Sequence, residues 1–316
     1  MLIIFIIRDS HTKHYKERAH LNSFQLKVLL KVIDSGSFTR TGDQIGLTQS
    51  GVSHIITALE NELGIALLHR ARTGSSLTAE GQTVIAHMRE IAGHMEQIEQ
   101  KVAALNGLTI GRLSIGSFPS FSARYIPTLL ALFKEQFPTI DVHLSEGGYE
   151  DIRKWVQDGT VDIGFTALPV HKVDFIPLLE DPLYVVIPKG HSFFGRGTVH
   201  VEDMTGQSFI MLRSGCETLI EEAFKQHGVS PSISYDIKDN QTVISMVSKN
   251  LGISIMPNLA LPEESMDLCY ASLEPQLVRN IGYITRKGKA PSPLALEFMS
   301  IIDHCFPDHE RLLKDG

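Results

Sequence analysis

Val84, Met88, Ile91, Met95, Ile98, Val102 and Leu105 follow one another at alternating spacings of four and three residues. That is an unbroken heptad seam over about three repeats, and it limits the chain more than any other feature. The positions around it, Arg89, Glu90, Glu96, Gln97, Glu99, Gln100 and Lys101, are nearly all polar. A helix packed on its own domain is the commoner origin of an apolar stripe, but a strip this narrow asks for a partner helix. We read it as a dimerisation helix, with two methionines making its packing adaptable and Asn106-Gly107 closing it. It separates a helical N-terminal segment from a longer part in which β-rich and helical runs alternate.

Before the seam, apolar residues from Leu21 to Ile33 recur at helical spacing, and Ser35-Gly36-Ser37 ends the run. A short amphipathic helix, Phe38 to Ile45, follows, then a tight turn at Gly46-Leu47. Thr48 stands where an N-cap belongs, Gln49 to Leu63 places Val52, Ile55, Ile56, Leu59 and Leu63 on one face, and Gly64 is a natural stop. Two short helices joined by a glycine-containing turn form a helix-turn-helix, whose second helix enters the DNA major groove. Its first turn presents Gln49, Ser50, Ser53 and His54. Gln pairs with adenine, Ser donates or accepts, and His donates to guanine or phosphate. The blander alternative is caps and solvated surface.

The whole string resembles the LysR-type family of bacterial regulators. It comprises Gly36-Ser37-Phe38-Thr39, Leu47-Thr48-Gln49-Ser50, Val52-Ser53, Ile55, Leu59-Glu60, Leu63-Gly64, Leu67, Arg70, Leu77-Thr78 and Glu80-Gly81. The resemblance implies a wing after Gly64, flanked by Arg70 and Arg72 as phosphate or minor-groove contacts. Thr41-Gly42 and Gly51 depart from the family's usual residues. Each glycine is expected to weaken its helix by roughly 1 kcal/mol relative to Ala. Leu68 replaces a usual phenylalanine, and His54 stands where Arg or Lys is frequent. Residues 1–20 lie outside the pattern, as an extra arm or translation from an upstream start.

Net charge is −7, which argues mildly against a nucleic-acid binder, but residues 1–79 hold nine Lys/Arg against six Asp/Glu and the rest is acidic. Charge permits a DNA-binding head without establishing one. Three dispersed cysteines and no C-x-x-C pair fit a reducing cytosol and no zinc site. The apolar run Met1 to Ile7 is too short to span a bilayer and lacks signal-peptide flanks, so a cytoplasmic location without membrane contact is expected.

After Ile110, strands are expected at 112–116, 140–144, 161–165, 183–187, 209–212, 233–237 and 253–256. Helices are expected at 123–136, 149–157, 216–227, 241–249 and 293–306, which implies a mainly parallel sheet. The resemblance implies two half-domains like those of periplasmic binding proteins, with ligand between them at strand ends and helix starts. The expected fold is therefore α/β with an N-terminal all-α winged helix-turn-helix and a two-subdomain effector domain. The expected divisions are 1–20, 21–79, 80–107 and 108–316, the last split into about 108–183 with 285–316, and about 184–284.

Three loops carry the family's ligand contacts onto Ser117, Ser120, Ser122, Thr166 and Ser214. Arg213 adds a charge and Asn240 is a weaker candidate, a set that favours a small anion. Serines before helices are also ordinary caps. Promoter DNA, a small-molecule effector, a homodimer or homotetramer and RNA polymerase are the implied partners, with no cofactor and no metal. An enzyme is the first alternative, but no G-x-S-x-G, G-x-x-x-x-G-K or H-E-x-x-H motif occurs. A transport binding protein would not carry the first hundred residues, and a thiol switch would need a cysteine near Cys216.

Overall fold

Asn22 opens the first helix, α1 (Ser23–Ser35), by accepting from the Phe24 N–H, and Gln25 completes a capping box. A computed structural model describes residues 22–71, 74–105, 110–262 and 267–307. Ser37 caps α2 (Phe38–Ile45) and Thr48 caps α3 (Gln49–Leu63). Gly46 and Gly64 end them at φ +71° and +70°, a left-handed conformation that costs glycine little. Leu26, Leu29, Val32, Val52, Ile56 and Leu59 form the core of this unit. The wing is the antiparallel pair β1 (Leu68–Ala71) and β2 (Gly74–Leu77).

Thr78 then caps α4 (Ala79–Leu105), donating to the Ala66 carbonyl at 2.7 Å and accepting from Gly81 N–H at 2.9 Å. The seam on α4 is not uniform. Ile85 and Met88 are buried in the helix-turn-helix core with Val84 and Ala92 packed against it, so its first turns belong to their own domain. Arg89–Asp34 and Lys27–Glu99 ion pairs, 2.8 and 3.0 Å, tie α4 to α1. Ile91 and Ile98 stand 43% and 62% exposed. The Leu105 side chain and Asn106-Gly107 lie outside the described residues.

The described residues form two compact units that divide between Glu99 and Gln100. In the second, β3 (Arg112–Ser117) leads into α5 (Pro119–Arg124) and α6 (Ile126–Gln136). The single helix expected over 123–136 is thus two, broken at Tyr125. Pro127, near the start of α6, lacks the N–H and crowds the preceding turn. Next come β4 (Asp141–Glu146), α7 (Tyr149–Asp158), β5 (Ile163–Ala167) and the long β6 (Val173–Pro188). The second half holds β7 (Thr198–His200), β8 (Ser208–Leu212), α8 (Glu217–Gln226), β9 (Ser232–Ile237), α9 (Asn240–Ser248), β10 (Ser254–Pro257) and β11 (Leu268–Glu274). Finally β12 (Val278–Arg286) returns, and α10 (Pro293–Cys305) is the last element among the described residues.

The main sheet runs β4-β3-β5-β12-β6-β11-β7, with β10 also on β6. β3 pairs in parallel with β4 and β5, and β8 with β9. The two strands that join the halves, β6 and β12, pair antiparallel, so the sheet is mixed rather than mainly parallel. Sequence reading saw only 183–187 of β6, because Pro177 and Pro182 interrupt the run. In the structure Pro177 sits opposite Gly282 at a register shift. A first core around Phe118, Phe121, Phe133, Phe165 and Phe298 fills one half, and a second around Leu183, Phe209, Ile220 and Ile255 fills the other.

Candidate functional site

On α3 the apolar face is spent on the core, which leaves the opposite stripe to solvent. Gln49, Ser50, Ser53 and His54 lie on that stripe with Thr57, Ala58 and Asn61, and together they line one shallow cleft. The structure therefore brings the four sequence-predicted side chains onto one surface and extends it by about two turns. Thr48 is both cap and neighbour: its Oγ1 accepts from Gly51 N–H at 3.1 Å and lies 2.9 Å from Ser50 Oγ.

Arg70 stands on the wing, beside α3. Its Nη1 donates to Ser53 Oγ at 2.7 Å, and its Nη2 donates to Thr57 Oγ1 at 2.8 Å and Glu60 Oε2 at 3.3 Å. The guanidinium also lies over the Phe38 ring, 5.2 Å from its centroid. Glu60, quoted in the sequence motif without a role, holds the chain into the wing by accepting from the Leu67 and Leu68 N–H groups at 2.8 and 3.1 Å. Arg72 lies outside the described residues.

In the second unit, Ser117 ends β3, and Ser120 and Ser122 sit on α5 rather than in a loop. Thr166 sits inside β5 rather than after it. All four are buried. Among the described residues, the Ser117, Ser122 and Thr166 hydroxyls have no hydrogen-bond partner, and neither has Asn240 Oδ1. Ser120 Oγ accepts from a guanidinium at 2.9 Å, that of Arg279.

Arg279 is 4% exposed and is the functional candidate that sequence reading missed. Its Nε donates to Asp181 Oδ2 at 2.6 Å, and its Nη1 to Tyr149 OH at 2.8 Å and Cys216 Sγ at 3.5 Å. Tyr149 and Ser120 belong to the first half and Cys216 to the core of the second, so one side chain ties both halves together. Burial pushes the Asp181 carboxyl up, against the pull of Arg279 and of the Leu259 and Asn258 N–H groups. Arg213 is instead held by Glu221 and by Asp236, the latter at 2.7 Å. Ser214, half-buried, precedes Gly215 in the turn before α8. Among the described residues no cluster of His, Cys, Asp or Glu is arranged for a metal, and no helix is long and apolar enough to cross a membrane.

Residues 24–82 match the bacterial regulatory helix-turn-helix model of the lysR family, and residues 106–305 match the LysR substrate binding domain. The chain belongs to the LysR family. It is a LysR-type transcriptional regulator with a DNA-binding head and an effector-binding domain, not an enzyme. It is 31% identical over 288 residues to the uncharacterised HTH-type transcriptional regulator YvbU of Bacillus subtilis, a match covering 89% of this chain and 98% of YvbU. Its fold is similar to that of full-length CbnR complexed with its target DNA, with TM-score 0.61 and 23% identity over 90% of this chain and 99% of that one. It is also similar to the Synechocystis CcmR regulatory domain in complex with 2-PG, with TM-score 0.58 and 21% identity over 62% of this chain and 97% of that one.

Proposed function

We propose that this LysR-type regulator reads promoter DNA through the outer stripe of α3, with Gln49, Ser50, Ser53 and His54 at base edges. Thr48 fixes the helix start, Arg70 flanks it on the wing, and Arg72 is a further phosphate or minor-groove contact. The observation that carries this reading is the shared exposed cleft of these α3 side chains. Residues 21–79 are the head, 80–107 the dimerisation helix and 108–316 the effector domain, which works in the cytoplasm as a homodimer or homotetramer. Selection of randomised duplexes by the full-length chain tests the reading. The expected product is an interrupted inverted repeat with half-sites about one helical turn apart, and Gln49→Ala should lower discrimination by roughly 1–3 kcal/mol at one position. An unchanged profile would remove α3 from recognition.

The effector is a small anionic metabolite held by Ser117, Ser120, Ser122, Thr166 and Ser214. A buried hydroxyl without a partner costs about 1–3 kcal/mol, and an oxygen-rich anion relieves three of them at once, whereas an apolar ligand relieves none. The structure of CcmR with 2-PG supports the same class. Arg213, bound to two carboxylates, is the weakest member of the set. A thermal-shift screen of small carboxylates and phosphates checks it, since a specific ligand raises apparent stability by mass action. Stabilisation by neutral apolar compounds alone would contradict it.

A further inference from the structure

We propose that Arg70 is a positioning residue for Ser53: it orders that hydroxyl as a hydrogen-bond donor toward the acceptor edge of one base pair, rather than anchoring a phosphate. The inference rests on the reading of α3 given above.

The geometry points this way because of how the protons are distributed. A guanidinium has five N–H donors and no acceptor. Two of its arms reach α3, at Ser53 Oγ and Thr57 Oγ1, 2.7 and 2.8 Å away. Thr57 spends its single proton on the Ser53 carbonyl at 2.9 Å, so its hydroxyl is committed on both sides. Ser53 differs. Its oxygen accepts from Arg70, and Arg70 cannot take its proton in return, so the proton is left for a partner outside the helix. A hydroxyl that accepts from a cation is also a stronger donor in its own right.

Ser53 and Arg70 share a second cleft with Gln49, Phe38 and Gly74, so the ordered hydroxyl opens beside the other base-reading candidate. Glu60 Oε2 takes part of the Arg70 charge at 3.3 Å, which lowers what that charge offers to a phosphate. In the major groove, purine N7, guanine O6 and thymine O4 accept, whereas the amino groups of cytosine and adenine donate. A polarised Ser53 donor therefore favours a base step that presents an acceptor and disfavours one that presents the cytosine amino group.

The test uses the full-length chain and a randomised duplex library, with affinities of the enriched sites measured across a salt series. Ser53→Ala should flatten the preference at one step, by roughly five- to hundredfold. Arg70→Ala should flatten the same step, the double variant should lose no more than either single one, and the salt slope should stay that of the wild type. Arg70→Lys keeps the charge but replaces the rigid planar fork, whose two arms reach Ser53 and Thr57, by a shorter flexible stem with a compact ammonium, so a folded Lys variant should lose the step preference with its salt slope intact. The inference is overturned if Arg70→Ala weakens all sequences alike and lowers the salt slope by about 0.9 with every preference retained. Full preference in the Lys variant, or sites indifferent to Ser53→Ala, overturns it as well while leaving the α3 reading in place. A wild-type chain that enriches no sequence defeats both.

Discussion

Arg279 and Asp181 face each other in register across β12 and β6, the two strands that join the halves of the effector domain, with Nε 2.6 Å from Oδ2. Each is almost fully buried, so neither charge finds water if the other is removed. Asp181→Ala or Arg279→Met should therefore cost about 3–5 kcal/mol. Replacing both by apolar residues of similar volume should cost much less. Urea unfolding of the full chain measures the difference, and equal losses in single and double variants would contradict the pairing.

Gly215 meets the face of Tyr149, where an added Cβ would stand 2.5 Å from the ring, at φ +107°. Gly215→Ala should be destabilising on both counts, by about 1–3 kcal/mol from the backbone alone. Tyr149→Phe keeps the packing and removes the phenol that accepts from Arg279, leaving a buried N–H short of a partner at about 1–3 kcal/mol. A wild-type unfolding midpoint in either variant would show that the halves are not held together here.

Ile91 and Ile98 are two of the exposed apolar residues on α4. Ile91→Glu with Ile98→Glu should place carboxylates in an apolar interface, a penalty of several kcal/mol that dissociates the assembly. Light scattering reads it directly, and an unaltered mass would remove α4 from the interface. Met88, buried in the head, should instead respond as a core residue: Met88→Ala should lose about 2–5 kcal/mol of stability.

Burial pushes the Cys216 thiol above its ordinary value despite the nearby Arg279 cation. The reactive thiolate is therefore scarce at neutral pH. Iodoacetamide should label Cys216 only after unfolding, as mass spectrometry of the digested chain would report. Rapid labelling of the native protein would revive a redox role.

The head was legible because its signals are local. Thr48 and Gly64 bound α3 to the residue, and helical spacing alone separates Val52, Ile56 and Leu59 from the exposed stripe. Arg279 was illegible because the register of β12 on β6 places Asp181 opposite it, and nothing near either residue announces that. Arg213 looked better placed, at a helix start, but Glu221, about one turn into α8, and Asp236 on β9 claim it. Ser120 and Ser122 read as loop because the helix was expected only from Ala123, whereas α5 already starts at Pro119, and proline at the first turn of a helix is compatible with helix formation. Glu60 was visible as a carboxylate shortly before a turn, a position from which it can satisfy the backbone N–H groups entering the wing.

Hydroxyl-radical footprinting of the full-length chain on DNA upstream of its own gene decides whether α3 reads promoter DNA. Two protected half-sites about one helical turn apart are predicted, with protection reduced at the same base pairs in each half-site by Gln49→Ala. Absent protection, or a footprint that Gln49→Ala leaves unchanged, would remove α3 from DNA recognition.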